Sequence, residues 1–246
     1  MRALVFSGML CLAGCGGPAT PTPPPSDTRP PIASTDFALI PCAPETAPQP
    51  CVLVMAGGKR LLFGTPAGAA RNLLAADRVG LDAVMLFSLR SADIEGLDEV
   101  RNAVWQAGHE GPLRVSGPAG TASVLSAINK AYETADSFTF VEDPPAGGFN
   151  AATLVPLPGE RDTKARVFDT GDLIVTHLVN DSGRVGYWVD YNGVRVVLEP
   201  CGMSQASYFS EAPRRVVSCG DAGDSWPVEA VTFVDQAPPP GPTDAG

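Results

Sequence analysis

Apolar positions fall in short runs separated by turn residues, and their period changes halfway along the chain. Residues 51–55 are apolar, Ala56-Gly57-Gly58-Lys59 is a turn, and 60–63 returns after Arg60 to an apolar run, which predicts a β-hairpin. Over 66–77, Ala69, Ala70, Leu73 and Leu74 share one helical face, and 82–87 reads as a buried strand. Leu97, Val100, Val104 and Trp105 recur at i, i+3, i+7 and i+8, so 95–107 is an amphipathic helix. A strand at 113–116 turns through Gly117-Pro118-Ala119-Gly120 into a helix carrying Val124, Leu125, Ile128 and Tyr132. From Phe138 the pattern becomes strand-like, most clearly at 165–168, 173–179, 185–191 and 194–198. Asn192-Gly193 joins the last two, a strong short hairpin signal. Alternation followed by antiparallel pairing predicts an α/β class with a mixed sheet or two packed sheets.

Composition bounds this picture. With 246 residues, 44% of them hydrophobic, the chain can bury a core. The length suits one domain of about 180–200 residues plus flanks, or two small ones. A net charge of −10 argues against a nucleic-acid backbone as the main partner. No apolar run reaches the roughly 18–20 residues of a transmembrane helix. The only histidines are His109 and His177, so a site needing three imidazoles is ruled out. Residues 16–50, rich in Pro, Thr, Ser and Ala, read as a semi-extended spacer, and 237–246 as a disordered tail. There is no internal repeat.

Met1-Arg2, an apolar stretch over 3–12 and small residues before a cysteine form a secretory signal. The string Leu12-Ala13-Gly14-Cys15 resembles the lipobox of bacterial lipoproteins. That resemblance implies that Cys15 becomes the mature N-terminus and carries a diacylglycerol thioether and an acyl amide. At about 0.8 kcal/mol per buried CH₂, two or more chains anchor stably where one does not. Gly16 in place of an aspartate implies sorting to the outer membrane, and hence a lipid-anchored protein of the cell envelope, facing the periplasm or the surface. The chain then divides into a signal at 1–14, the lipidated cysteine and spacer at 15–50, a domain at 51–236 and the tail at 237–246. The folded part itself reaches back roughly to Asp36. Cys11 leaves with the signal. Cys42, Cys51, Cys201 and Cys219 remain, three pairings are open, and the most local is Cys42–Cys51 with Cys201–Cys219. Closing loops of this size contributes on the order of 3 kcal/mol each.

Several segments, in order, resemble the metallo-β-lactamase fold in its ribonuclease Z and arylsulfatase-like branch. They are Cys51-Val52-Leu53-Val54 with Leu61-Leu62-Phe63-Gly64, Gly68-Ala69-Ala70-Arg71-Asn72-Leu73, and Leu81-Asp82-Ala83-Val84-Met85-Leu86 with Ile94-Glu95-Gly96-Leu97. Gly111 to Thr121 and Gly186-Tyr187-Trp188-Val189-Asp190-Tyr191 with Val196-Val197-Leu198 continue the series. The similarity spans about residues 50–205 and rests on collinear order. It implies a four-layer αββα sandwich with two mixed sheets.

In active members of that family, H-x-H-x-D-H after the third strand holds one or two zinc ions, which acidify a bound water. Here the string is Ser88-Leu89-Arg90-Ser91-Ala92-Asp93. Ser88, Arg90, Ala92 and Asp93 take the ligand positions, and a guanidinium has no lone pair to give a metal. The family's lone histidine falls near Asn180-Asp181-Ser182, its bridging aspartate at Cys201, and the aspartate after the second strand at Gly64. No histidine follows His177 to serve the late position. An improvised metal site from Asp93, Asp181, Cys201 and His177 is opposed by Arg90. Ser88 as a nucleophile lacks a base. Arg90 and Asp93, three apart, are expected to pair in the old metal cavity. The expectation is therefore a domain with no catalytic residues, no metal ligands and no cofactor, zinc included. It would bind an envelope protein or a small ligand in the former cleft, and no nucleic acid. The rival is an active hydrolase of esters, sulfates or phosphodiesters with a rebuilt site.

Overall fold

The computed structural model describes residues 29–42, 50–203, 213–219, 224–226 and 228–236. The signal, Cys11, Cys15, much of the spacer and the 237–246 tail lie outside the described residues.

Two sheets stack face to face. In the first, β1 (Phe37–Pro41), β2 (Val52–Ala56), β3 (Lys59–Phe63), β4 (Ala83–Met85), β5 (Leu113–Ser116) and β6 (Leu154–Pro156) lie in chain order, with β13 (Thr232–Phe233) outside β1. Pairing is antiparallel from β13 to β3 and parallel from β3 to β6. In the second, β7 (Lys164–Asp169), β8 (Leu173–Val179), β9 (Val185–Tyr191) and β10 (Val194–Leu198) form an antiparallel meander, to which β11 (Arg215–Ser218) and β12 (Asp224–Ser225) add in parallel. Four helices, α1 (Ala75–Val79), α2 (Ser91–Ile94), α3 (Leu97–Gln106) and α4 (Thr121–Glu142), fall between β3 and β6. Parallel strands with returning helices give the molecule two distinct ends. Strand C-termini and helix N-termini define the upper end; helix C-termini define the lower.

Alternation along the strands sorts the core into layers. Leu39, Val54, Phe63 and Met85 point between the sheets and meet Val175, Tyr187, Val189 and Val196. Leu53, Leu62, Val84 and Leu86 point the other way and are covered by Ala69, Leu73, Leu97, Val104 and Leu125. The described helices thus cover the first sheet. On the outer face of the second, Leu178, Trp188 and Val197 form a separate cluster, with Lys164 and Arg195 stacked 4.5 and 4.6 Å from the Trp188 ring centre.

The predicted hairpins and the 97–106 helix are present. Asn192 and Gly193 both have positive φ (49° and 78°), as a tight primed turn demands. Three expectations are corrected. The domain boundary at residue 51 falls too late: Phe37–Pro41 is the strand next to the edge of the first sheet, so the domain reaches back to about Asp36, where the folded part was read to begin. Its four buried residues, bounded by Pro41, had been placed within the 15–50 spacer. The 66–77 helix is broken: a 3₁₀ turn at Ala69–Asn72 and α1 are separated by extended backbone at Leu73 and Leu74. And α4 continues through Phe138 to Glu142, where β-forming residues were read as the start of the strands. Helix propensity differences are small enough for an already nucleated helix to carry them.

Candidate functional site

The loops at the upper end frame a cleft between the sheets. β4 ends at Met85, and the chain passes through Phe87 and Ser88 before α2 begins at Ser91. Ser88 is 1% exposed. Its hydroxyl donates to the Asp93 carboxylate and accepts from the Arg90 backbone N–H at 3.1 Å. The Asp93 carbonyl accepts from the Thr65 hydroxyl at 3.1 Å. The segment at the former ligand positions is therefore closed on itself. Arg90 does not pair with Asp93. It is the extended residue before α2 (ψ 148°), so the two side chains lack helical i, i+3 spacing. Its Nη2 instead donates to the Ser182 carbonyl, 3.2 Å away in the β8–β9 turn. Arg90 thus ties a loop of the first sheet to a loop of the second, across a cavity of about 330 Å³ lined chiefly by Leu89, Pro118, Ala119 and Val179.

The other candidates are dispersed. Asp181 is exposed on the β8–β9 turn, which is organised by Asn180: its Oδ1 accepts from Ser182 N, Ser182 Oγ and Arg184 N at 2.8–3.0 Å. Cys201 is at disulfide distance from Cys219, and Cys42 from Cys51, with Cα separations of 4.9 and 5.3 Å. The local pairing is the one found. His177 is fully buried in β8, with Nε2 3.1 Å from the Asp162 carbonyl, and desolvation lowers its pKa. His109 sits at the lower end, Nδ1 2.9 Å from the Val79 carbonyl. Gly64 allows no side chain: a Cβ there would lie 2.0 Å from the Pro50 carbonyl oxygen.

These residues do not fit a zinc ion. The donor set at the expected ligand positions is a hydroxyl, a guanidinium, a methyl, the hydrogen-bonded Asp93 carboxylate, the exposed Asp181 carboxylate and a disulfide sulfur, with no imidazole. Among the described residues, no group of three or more His, Cys, Asp or Glu is placed to hold a metal. Nor is Ser88 an accessible nucleophile, since it is enclosed and its proton points at Asp93.

Sequence reasoning missed the residues that close the site. Thr65 acts through its hydroxyl on a backbone carbonyl and Ser182 through its own carbonyl, and neither contact leaves a compositional signal. Tyr187 was seen only as part of a hairpin. It is buried between the sheets, donating to the Leu86 carbonyl at 2.7 Å, with Phe63 and Phe87 edge-on at 5.2 and 5.8 Å. Complete burial pushes its phenol pKa up. Glu199, at the end of β10, is also buried. Its Oε1 has no partner among the described residues, and desolvation raises its pKa to about 7.

No protein-family model matches the chain, and no curated protein does. Solved structures do. The metallo-β-lactamase fold protein YhfI from Bacillus subtilis aligns at a TM-score of 0.52 and 13% identity, over 74% of this chain and 70% of that one. Human tRNase Z, short form, aligns at 0.50 and 15% identity, over 73% and 76%. At these identities the likeness is one of fold: the chain has the metallo-β-lactamase fold, an α/β sandwich of two mixed sheets.

Proposed function

We propose that this metallo-β-lactamase-fold domain acts by binding rather than by catalysis, as a membrane-tethered lipoprotein of the cell envelope. Cys15 is the anchor, and an envelope protein or a small ligand is the partner at the former cleft. The observation that carries this reading is the internal pairing of the ligand positions: Ser88 with Asp93, and Arg90 with the Ser182 carbonyl. The carboxylate of that segment is already engaged, and its guanidinium adds a positive charge that disfavours a second cation nearby. The test is elemental analysis of the purified protein, together with ester, sulfate-ester and phosphodiester assays. The expected result is substoichiometric metal and no turnover above buffer. Zinc or iron near one equivalent, or turnover abolished by a chelator, would reverse the assignment. Replacement of Cys15 by alanine should release the protein from the membrane.

A further inference from the structure

Five of the six large hydrophobic side chains exposed among the described residues lie at the lower end: Val79, Phe138, Phe140, Val141 and Phe149. Phe138 is 65% exposed and Val141 82%, far more than a helix at a domain surface ordinarily leaves in water. Their shared location follows from contacts. Phe140 and Phe149 meet edge-on at 5.6 Å, joining the end of α4 to the loop after it. That loop packs on the end of α3, where a Cβ at Gly147 would lie 1.8 Å from the His109 carbonyl oxygen. His109 in turn touches the Val79 carbonyl at the end of α1.

The chain also enters the domain at this end. Arg29 clamps Asp77 of α1 through Nη1 and Nη2 at 2.6 and 3.0 Å, and β1 starts at the lower end, Phe37 opposite Ala56. Cys15 precedes Arg29 by fourteen residues. At about 3.1 Å per residue a proline-rich spacer of that length reaches roughly 40 Å, so a lipid anchored there stays within reach of this face. We infer that the apolar lower end rests in the lipid bilayer, leaving the cleft at the upper end pointing away from the membrane. The inference rests on the lipid anchoring proposed above. Glu142 and Asp143, exposed beside Val141, make the rim acidic, so contact comes from apolar insertion and suits zwitterionic lipid rather than an anionic surface. The anchor supplies the main affinity, and the foot sets the orientation.

The test uses the lipidated full chain in phosphatidylcholine vesicles, with a nitroxide placed at Val141→Cys or, as a control on the cleft side, at Ser182→Cys. Both positions are exposed, so neither substitution threatens the fold. The expected result is flotation with the vesicles, a 141 label several-fold more accessible to oxygen than to a water-soluble nickel chelate, and the reverse preference at 182. Flotation with an aqueous label at 141 overturns the inference while leaving the anchor intact. Absence of flotation overturns both. Strong spin–spin broadening between 141 labels shows that two copies of this chain meet through the patch, which also overturns it.

Discussion

The two ends of the sandwich treat their polar groups in opposite ways. Toward the lower end, charges are buried in pairs. Asp77, with no exposure, is held by Arg29 and by Arg60 at 3.3 Å, and Arg101 on α3 forks onto Asp136 on α4 while lying 5.0 Å from the Tyr132 ring centre. At the upper end, no opposite charges meet in the cleft among the described residues. Asp93 takes a hydroxyl, Arg90 takes a carbonyl, and one oxygen of Glu199 has no partner among the described residues. The lower end is built for cohesion. The upper end is where the fold tolerates polar groups that do little to hold it together.

The comparison breaks most visibly at Arg101. Asp136→Ala leaves a guanidinium that is 2% exposed without its carboxylate, and stability should fall by about 3–5 kcal/mol in urea unfolding. A loss below about 1 kcal/mol would mean that α3 and α4 are held by their apolar contacts alone.

The next effect lies at the upper end and depends on pH. Glu199 has a folded pKa of about 7, against 4.5 when exposed. A raised acid pKa favours the folded state fully below the exposed value, and that stability is lost as pH rises through the folded one. The protein should therefore lose on the order of 3 kcal/mol between pH 4.5 and 7 through this group. Glu199→Gln should remove the loss, raising the melting temperature at pH 8 but not at pH 4. An equal shift at both pH values would show that Glu199 is not buried as a neutral acid.

How far this contrast was legible in the sequence depends on the kind of signal. Strands β2 to β5 and β7 to β10 and helix α3 announced themselves by their apolar pattern, and Asn192-Gly193 by turn chemistry. The collinear order of those pieces was enough for the fold. Which residue types stand at positions 88, 90, 92 and 93 was legible, because that needs no structure. What could not be read was pairing. Ser88 with Asp93 and Arg90 with Ser182 depend on the extended backbone at Arg90 and on a turn 92 residues away. That 37–41 is a strand was not read for a related reason: the folded part was seen to start near Asp36, but only pairing with β2 and β13 makes this segment a strand. The foot at Phe138 and Val141 was misread because residues that favour strands were taken as strand, when the helix they complete leaves them facing solvent.

The smallest predicted effect is the one that sharpens the comparison most. Arg90 is exposed, and its single described side-chain contact is the 3.2 Å hydrogen bond to the Ser182 carbonyl. That carbonyl sits on a turn already fixed by Asn180, so water can replace the guanidinium at little cost. The backbone N–H of residue 90 keeps its bond to Ser88 whatever the side chain. Arg90→Ala should therefore change stability by no more than about 0.5 kcal/mol in the same urea experiment that reads Asp136→Ala. If Arg90 bolted the two sheets together, its removal would cost several times more and would loosen the β8–β9 turn, seen as faster amide exchange at Ser182 and Gly183. A near-zero value with unchanged exchange means that the charge across the cleft is not retained for cohesion.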